Sequence, residues 1–273
     1  MKKLFFACCF LVASLANAQK TGSLSIHFDN RVGSEDLVLN TKSYTNASGN
    51  EFKVSLFQYY VSNLELVRKD GSSYVVPQDE SYFLVRENRP ETQTITLNNI
   101  PKGSYVGLRF VIGVDSTRSA SEIGQRKGCL DVGGEGKDMY WAWNSGYIFV
   151  KMEGTSPQIQ LTGNRKEPIF MYHIGLFGGI GDKKTLNNIK QANLDFGGKL
   201  KIKAEQTAQI EVQADASKLF NGTTNVDLAK NPTVMAGPYS KNVADNYTQM
   251  FSFEGFKKET PKSSESKVAL GMK

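Results

Sequence analysis

The sequence predicts an all-β protein, a single-domain antiparallel β-sandwich with long loops. Ten or more short segments are rich in β-branched and aromatic residues, and most are bounded by Gly, Pro, Asn or Asp. The chain has no internal repeat and no long amphipathic helical pattern. About 255 of the 273 residues remain after an N-terminal signal is removed, which is enough to bury the core of one large β domain.

The first residues have the three parts of a secretory signal peptide. Lys2 and Lys3 form a basic region, residues 4–15 are apolar, and Ala16-Asn17-Ala18 is a small-x-small cleavage site. We therefore predict a signal peptide over residues 1–18, cleavage after Ala18, and a periplasmic or secreted protein. No later segment approaches the length of a membrane helix, so an integral membrane protein is not expected.

The charge of the chain bears on its expected partners, and its cysteine content bears on how the fold is stabilised. The formal net charge of +6 falls to +4 when Lys2 and Lys3 leave with the signal, and no block of basic residues remains. Nucleic acid is therefore not an expected partner. Cys8 and Cys9 lie in the signal, which leaves Cys129 as the one thiol of the mature chain. The core must then hold the fold without an internal disulfide.

The first half of the chain reads as a series of strands. Leu24, Ile26 and Phe28 alternate with polar residues, which places His27 on the face opposite the apolar side chains. Asp70-Gly71 predicts a hairpin turn after a long apolar segment. The predicted strands are 24–28, 52–67 (one strand or two, with a polar break at 62–63), 74–76, 82–85, 92–97 and 105–114.

The second half begins with a loop over residues 115–138 that contains few apolar residues. A loop of this length inside a compact domain is more often functional than idle. Further strands are predicted at 169–177, 192–196, 200–202, 209–214 and 250–256, with one helical turn at 216–220. The domain is assigned to residues 19–256, and the polar segment 257–273 is predicted to be a disordered tail.

The stretch MYWAWNSGYIFVKMEG, residues 139–154, contains both tryptophans of the protein, Trp141 and Trp143. In an extended segment, residues two apart point to the same face, so both indoles should share one side. A turn is predicted at residues 144–146, followed by an apolar strand at 147–150. Two interpretations remain open: a core strand with two large anchors, or an aromatic platform beside a site.

Signatures of several enzyme classes are absent from the sequence. The segment GGIGDKKT, residues 178–185, lacks the glycine spacing of a phosphate loop and reads as a glycine-rich turn. Neither a Gly-x-Ser-x-Gly elbow nor a His-Glu-x-x-His zinc helix occurs. No assembled nucleophile, base and orienting group can be read from the chain. We therefore expect a protein that is not an enzyme.

The only two histidines, His27 and His173, both fall in predicted strands. A lone histidine in an apolar strand is usually a hydrogen-bonded core residue. Two imidazoles brought together by folding would instead suit a copper or zinc site. Soft donors such as Met139 and Cys129 would favour Cu(I), and two histidines alone leave zinc short of its usual four ligands.

Five stretches together resemble the MbnP-like family of periplasmic copper-binding proteins found beside methanobactin genes. They are LSIHFDNRVGSEDLVLN, FQYYVSNLEL, FVIGVDS, MYWAWNSGYIFVKMEG and FMYHIG, and they span almost the whole mature chain in the expected order. The tryptophan strand and the later histidine followed by glycine are the specific part. The remainder is ordinary β sequence.

The resemblance implies a β-sandwich that binds one copper ion beside a tryptophan oxidised to kynurenine. It also implies a partner enzyme, of the di-haem peroxidase type, that carries out this oxidation. Carried over to this sequence, the tryptophan is Trp141 or Trp143, the motif histidine is His173, and His27 is a weaker second ligand. Met139 and Cys129 are optional soft ligands.

The sequence departs from the methanobactin-linked members at two places. Those members have a cysteine soon after the histidine and glycine, whereas residues 175–179 here contain none. Val61-Ser62-Asn63 stands where a further histidine is expected. The chain therefore resembles a divergent branch. The alternative is a metal-free binding module that presents Tyr140, Trp141, Trp143 and Tyr147 to a glycan, peptide or protein.

Overall fold

The computed structural model describes residues 20–143, 146–163 and 166–257; the predicted signal peptide, the predicted turn residues 144–145 and all but the first residue of the predicted tail lie outside these ranges. The strands are, in chain order, β1 Thr21–Val32, β2 Glu35–Asp36, β3 Tyr44–Thr45, β4 Glu51–Val67, β5 Ser73–Val75, β6 Tyr82–Arg86, β7 Thr94–Pro101, β8 Gly103–Ile112, β9 Tyr140–Trp141, β10 Gly146–Thr155, β11 Ile169–Gly175, β12 Phe177–Ile180, β13 Lys183–Asn187, β14 Lys190–Ile202, β15 Thr207–Asp215, β16 Thr233–Val234 and β17 Phe251–Lys257. The α-helices are α1 Ser116–Ser119 and α2 Ser240–Tyr247.

Two sheets form the body of the fold. The five-stranded sheet has the order β17-β15-β1-β2, with β7 also paired to β1. The ten-stranded sheet has the order β14-β8-β4-β10-β11-β16, with β3, β5 and β6 paired to β4 and β9 paired to β10. Strands β12 and β13 make a separate hairpin. The all-β class and the sandwich arrangement predicted from the sequence are confirmed.

The main core lies between the two sheets, and strand alternation explains its composition. Leu24, Ile26 and Phe28 of β1 are fully buried, and the residues between them are only partly buried. The Phe28 ring packs edge-on against Tyr59 and Phe110 of the other sheet, with ring centroids 6.2 and 6.1 Å apart. Aromatic pairs in this geometry add stabilisation beyond the area that they bury.

The topology differs from the predicted antiparallel pattern in one important place. Strands β1 and β15 pair in parallel, from Ser23 opposite Thr207 to Arg31 opposite Asp215. Parallel neighbours need a long crossover connection, which here is most of the chain. Most of the other strand pairs are antiparallel, as expected.

Several predicted boundaries also change. The segment 52–67 is one strand, β4, which contains Asn63 in the left-handed region with φ 52°. The predicted strand 169–177 divides at Leu176, whose φ is 80°, into β11 and β12. Residues 192–202 belong to one strand, β14. Helix α2 was not predicted, because its eight residues include only three apolar side chains and its buried face also contains Ser240 and Asn246. Among the residues described, no helix combines the length and apolarity needed to cross a bilayer.

Candidate metal centre

A second core covers part of the outer face of the ten-stranded sheet. Tyr59 points into the main core, so its neighbour Tyr60 points to the other side of the sheet, where its ring lies 5.6 Å from that of Tyr147. The second core consists of Tyr60, Leu84, Val114, Leu130, Met139, Trp141, Tyr147, Ile148, Phe149, Leu176 and Phe177. Apolar residues on both faces of β10 explain why four consecutive positions, 147–150, are buried.

The long segment 115–138 packs over this second core. Tyr60 donates a hydrogen bond of 2.8 Å to the Cys129 carbonyl, and Tyr147 donates one of 2.7 Å to the Leu130 carbonyl. Two buried phenols therefore satisfy backbone carbonyls of the segment. The segment is therefore part of the packed structure around the predicted site, and its functional role stays a prediction.

The two tryptophans have different environments. Trp141 belongs to β9 and is 6% exposed, whereas Trp143 lies in the following turn and is 68% exposed. Their ring centroids are 5.3 Å apart with the planes tilted by 37°. The indoles contact each other, but β9 ends at Trp141, so they are not neighbours on one face of an extended strand as the Trp-x-Trp spacing predicted.

Gly175 provides the space for the Trp141 indole. A Cβ atom at this position would lie 2.9 Å from Cζ3 and 3.3 Å from Cη2 of Trp141, and 2.4 Å from the Tyr147 carbonyl oxygen. The six-membered ring of Trp141 therefore lies directly over the Gly175 backbone. Any larger residue would displace it.

His173 lies on the same face of β11 as this indole. It is two residues from Gly175, so the two Cα atoms are about 7 Å apart along the strand. Its neighbours Tyr172 and Ile174 are in the main core, which directs the imidazole to the outer face. The side chain is nevertheless only 13% exposed. The structure thus brings His173 and Trp141 to one side of one sheet.

A carboxylate orients the imidazole. Nε2 of His173 lies 2.7 Å from Oε1 of Glu153 on the adjacent strand β10, and Nζ of Lys151 lies 3.5 Å from the same oxygen. The hydrogen bond from His173 is the main reason that the pKa of Glu153 is held below its usual value. An ionised carboxylate only accepts, so Nε2 carries the hydrogen of this bond, and Nδ1 of the neutral ring is the nitrogen available to a metal. Metal-binding histidines typically have such a carboxylate partner.

His27 is in a different part of the molecule. It alternates with Ile26 and Phe28 of the main core, so it points outward from the five-stranded sheet. Its Nδ1 lies 3.4 Å from Oε1 of Glu211, and its side chain is 43% exposed. The two histidines therefore face outward from opposite sides of the sandwich. They do not form one metal site in this structure.

The two soft donors lie within or beside the second core. Met139 is fully buried there. The Cys129 thiol is 3.4 Å from the Tyr82 carbonyl oxygen, and burial raises its pKa to about 12. The thiolate, which is the form that binds metals, is therefore strongly disfavoured. In the part of the chain that the structure describes, no group of three or more His, Cys, Asp and Glu side chains is placed to hold a metal ion.

These observations test how well the residues fit copper. His173 with Glu153 has the pairing expected of a ligand, but one imidazole is fewer donors than copper or zinc sites normally use. A further donor is needed beside His173, and Trp141 is the neighbour on that face. Glu153 and Gly175 were not predicted as site residues. The alternation of Lys151 and Glu153 within an otherwise apolar strand was the available signal.

The alternative aromatic platform is largely internal. Tyr147 is fully buried, Trp141 is nearly so, and Tyr140 is partly buried with its ring 5.3 Å from that of Tyr147. Only Trp143 of the four presents most of its surface to solvent. A four-residue stacking surface is therefore not present.

Comparison with known proteins identifies related chains. The family model described as MbnP matches residues 21–236. Among solved structures, MbnP from Methylosinus trichosporium matches with a TM-score of 0.55 and 18% sequence identity, covering 80% of this chain and 82% of that one. At this identity the likeness shows a shared fold. A search of curated proteins found no match.

Proposed function

Because the chain belongs to the MbnP family, we propose that it is a copper-binding protein of the periplasm or the exterior, with a binding role and no catalytic one. The observation that carries the proposal is the arrangement on the outer face of β11. A carboxylate-backed imidazole, His173, lies two residues from the glycine over which Trp141 is packed. His173 is the proposed ligand, through Nδ1, and Glu153 is the residue that orients it.

Trp141 is the proposed site of oxidation to kynurenine, in preference to Trp143. An unmodified indole is a poor ligand, whereas kynurenine has an aniline nitrogen and a ketone oxygen. Trp141 lies on the His173 side of the sheet, so its modification would add donors where the fit to copper is incomplete. Trp143 contacts Trp141 from the solvent side.

The oxidant in this proposal is a partner enzyme of the di-haem peroxidase class that uses hydrogen peroxide. The C2–C3 bond of the indole breaks, and C2 leaves as formic acid. Two molecules of hydrogen peroxide are reduced for each tryptophan, and one molecule of water is released. The haem enzyme supplies the oxidising chemistry, and this chain supplies the positioned substrate side chain.

Copper binding by matched histidine variants tests the ligand assignment. Protein purified from its native envelope should contain copper in stoichiometric amount. His173→Ala should lower copper affinity by at least about a hundredfold, and Glu153→Gln by about ten- to a hundredfold. His27→Ala is the control and should bind like the wild type. Equal losses in the His27 and His173 variants would overturn the assignment.

Mass spectrometry tests the modification separately. Replacement of one carbon by one oxygen raises the mass by about four units when tryptophan becomes kynurenine. Peptide mapping should place this increase on Trp141. Chain expressed without the partner enzyme should lack it and should bind copper more weakly. A mass increase confined to Trp143, or copper binding that does not depend on modification, would contradict this part of the proposal.

A further inference from the structure

A cleft separates the exposed face of Trp143 from the β12–β13 hairpin. It has a volume of about 600 Å³, and its walls include Trp143, Phe177, Ile180, Asp182 and Lys183. Trp143 is 68% exposed and Ile180 is 51% exposed, so two large apolar side chains at the surface border the same cavity. Exposed apolar surface that is concentrated in this way usually marks a binding site.

The walls of the cleft are held in place by the rest of the fold. Phe177, at the base of the hairpin, is buried in the second core, and its carbonyl accepts a hydrogen bond of 2.9 Å from the Ser116 hydroxyl. Gly179 has φ 82°, and a Cβ atom there would lie 1.9 Å from the Lys183 carbonyl oxygen, so the two strands approach closely. On the other side, the indole of Trp143 rests against Trp141. The walls of the cleft are therefore held in place by packing and hydrogen bonding on both sides.

The charges at the rim indicate what the cleft would accept. Asp182 and Lys183 line the cleft, and Lys184, exposed next to them, adds a second positive charge to the turn without lining the cleft. The turn therefore has a net positive charge. An indole face binds flat aromatic rings well, and a lysine ammonium nearby favours a negative substituent.

We propose that this cleft is a binding site for a planar aromatic anion, a carboxylate or sulfonate whose ring stacks on Trp143 and whose charge lies beside Lys183. The site is separate from the proposed copper centre, because it lies on the solvent side of Trp143 and requires neither copper nor oxidation of Trp141. The proposed site is also smaller than the four-residue aromatic platform considered above, because it consists of Trp143 and the β12–β13 hairpin.

The test uses the mature, copper-free and unmodified chain with three probes of similar size. They are 2-naphthoate, 2-naphthylmethylammonium and decahydronaphthalene-2-carboxylate, and dissociation constants are obtained by ligand-observed NMR. Naphthoate should bind in the range of about 1 mM, as expected for a ligand of this size on an open site. The cation and the non-aromatic acid should each bind at least about fivefold more weakly.

Variants then assign the binding to this cleft. Trp143→Ala should weaken naphthoate binding about tenfold, because one aromatic stacking partner is lost. Lys183→Gln should weaken it about threefold, whereas Asp182→Asn should leave it unchanged or tighten it. Phe256→Ala and Lys102→Gln alter an exposed aromatic and an exposed lysine elsewhere, and both should bind like the wild type.

Melting temperatures of all variants confirm that they are folded. This is expected for Trp143→Ala, because that side chain is mostly exposed. Preference for the cation, reversed effects of the Lys183 and Asp182 variants, or naphthoate binding that survives Trp143→Ala would each overturn the proposal. These measurements do not depend on copper, so failure here leaves the proposed metal function standing, and the reverse also holds.

Discussion

Replacing Gly175 with alanine should displace the Trp141 indole and destabilise the protein. The added Cβ would lie 2.4 Å from the Tyr147 carbonyl oxygen and 2.9 Å from Cζ3 of Trp141. Such overpacking usually costs about 1–3 kcal/mol, and this case lies near the upper end, because the closest atom is a backbone oxygen that cannot rotate away. The lower entropy of the unfolded chain returns only about 0.4–1 kcal/mol. We therefore expect a net loss of about 2 kcal/mol in the free energy of unfolding.

Thermal unfolding with near-UV circular dichroism measures this effect. A loss of about 2 kcal/mol should lower the melting temperature by about 4–8 °C in a domain of this size. Gly255→Ala is the matched control, because Gly255 is also in a strand but a Cβ added there would have no atom within 4 Å. It should melt within about 2 °C of the wild type.

A double-mutant cycle separates the two contacts at Gly175. In a Trp141→Leu background the clash with the indole is absent, so Gly175→Ala should cost about half as much, and the remainder reports the contact with the Tyr147 carbonyl. Equal melting temperatures for Gly175→Ala and Gly255→Ala, with an unchanged near-UV spectrum, would refute the packing of Trp141 over Gly175.

Three further predictions concern other parts of the chain. Burial raises the pKa of Glu87 to about 7, so the folded state binds this proton more tightly and the free energy of unfolding falls as the pH rises from about 4.5 to 7. Urea titrations should therefore show Glu87→Gln to be more stable than the wild type by about 1–2 kcal/mol at pH 8, a value reduced for the partial solvation of the side chain. At pH 4, where Glu87 is protonated, the two proteins should be equally stable. Arg126 is buried, donates to two backbone carbonyls and lies over two tyrosine rings. Arg126→Met should cost about 2–3 kcal/mol and speed proteolysis within residues 115–138, whereas Lys127→Met, at an exposed position, should do neither. The raised pKa of Cys129, about 12, predicts that a disulfide reagent labels it about a thousandfold more slowly in folded protein than in urea at pH 8; comparable rates would contradict its burial.

Alternation along single strands allowed much of the sandwich to be predicted. The pattern around Leu24 and Phe28 determined the inward face of β1 and correctly placed His27 outside. The all-β class was predicted from many such alternating segments. The parallel pairing of β1 with β15 could not be predicted, because its residues are more than 180 positions apart and parallel pairing leaves no local turn signal.

The second core is the main feature that the sequence did not predict. Its cover, residues 115–138, contributes only a few large apolar side chains, and backbone carbonyls from it are bonded by Tyr60 and Tyr147. A periodic pattern cannot reveal such a segment, because its regular structure is limited to one four-residue helix and short 3₁₀ turns. The run of four apolar residues at 147–150 was the one local sign that β10 is buried on both faces.

The second core also explains why a candidate metal centre can form outside the main core. The outer face of a sandwich strand is ordinarily solvated, and an imidazole there would have no fixed neighbours. Here the second core covers the outer face as far as Gly175, through Trp141, and His173 two residues away is only 13% exposed and hydrogen-bonded to Glu153. A site on paired strands is held more precisely than one on loops. His27 shows the contrast: it occupies an equivalent outward position on the other sheet, but its side chain is three times more exposed and lies 3.4 Å from its carboxylate partner, against 2.7 Å for His173. The two histidines therefore differ in exposure and in the closeness of the carboxylate partner, and His173 also lies two residues from the glycine that Trp141 covers, which is why His173 alone is the proposed ligand.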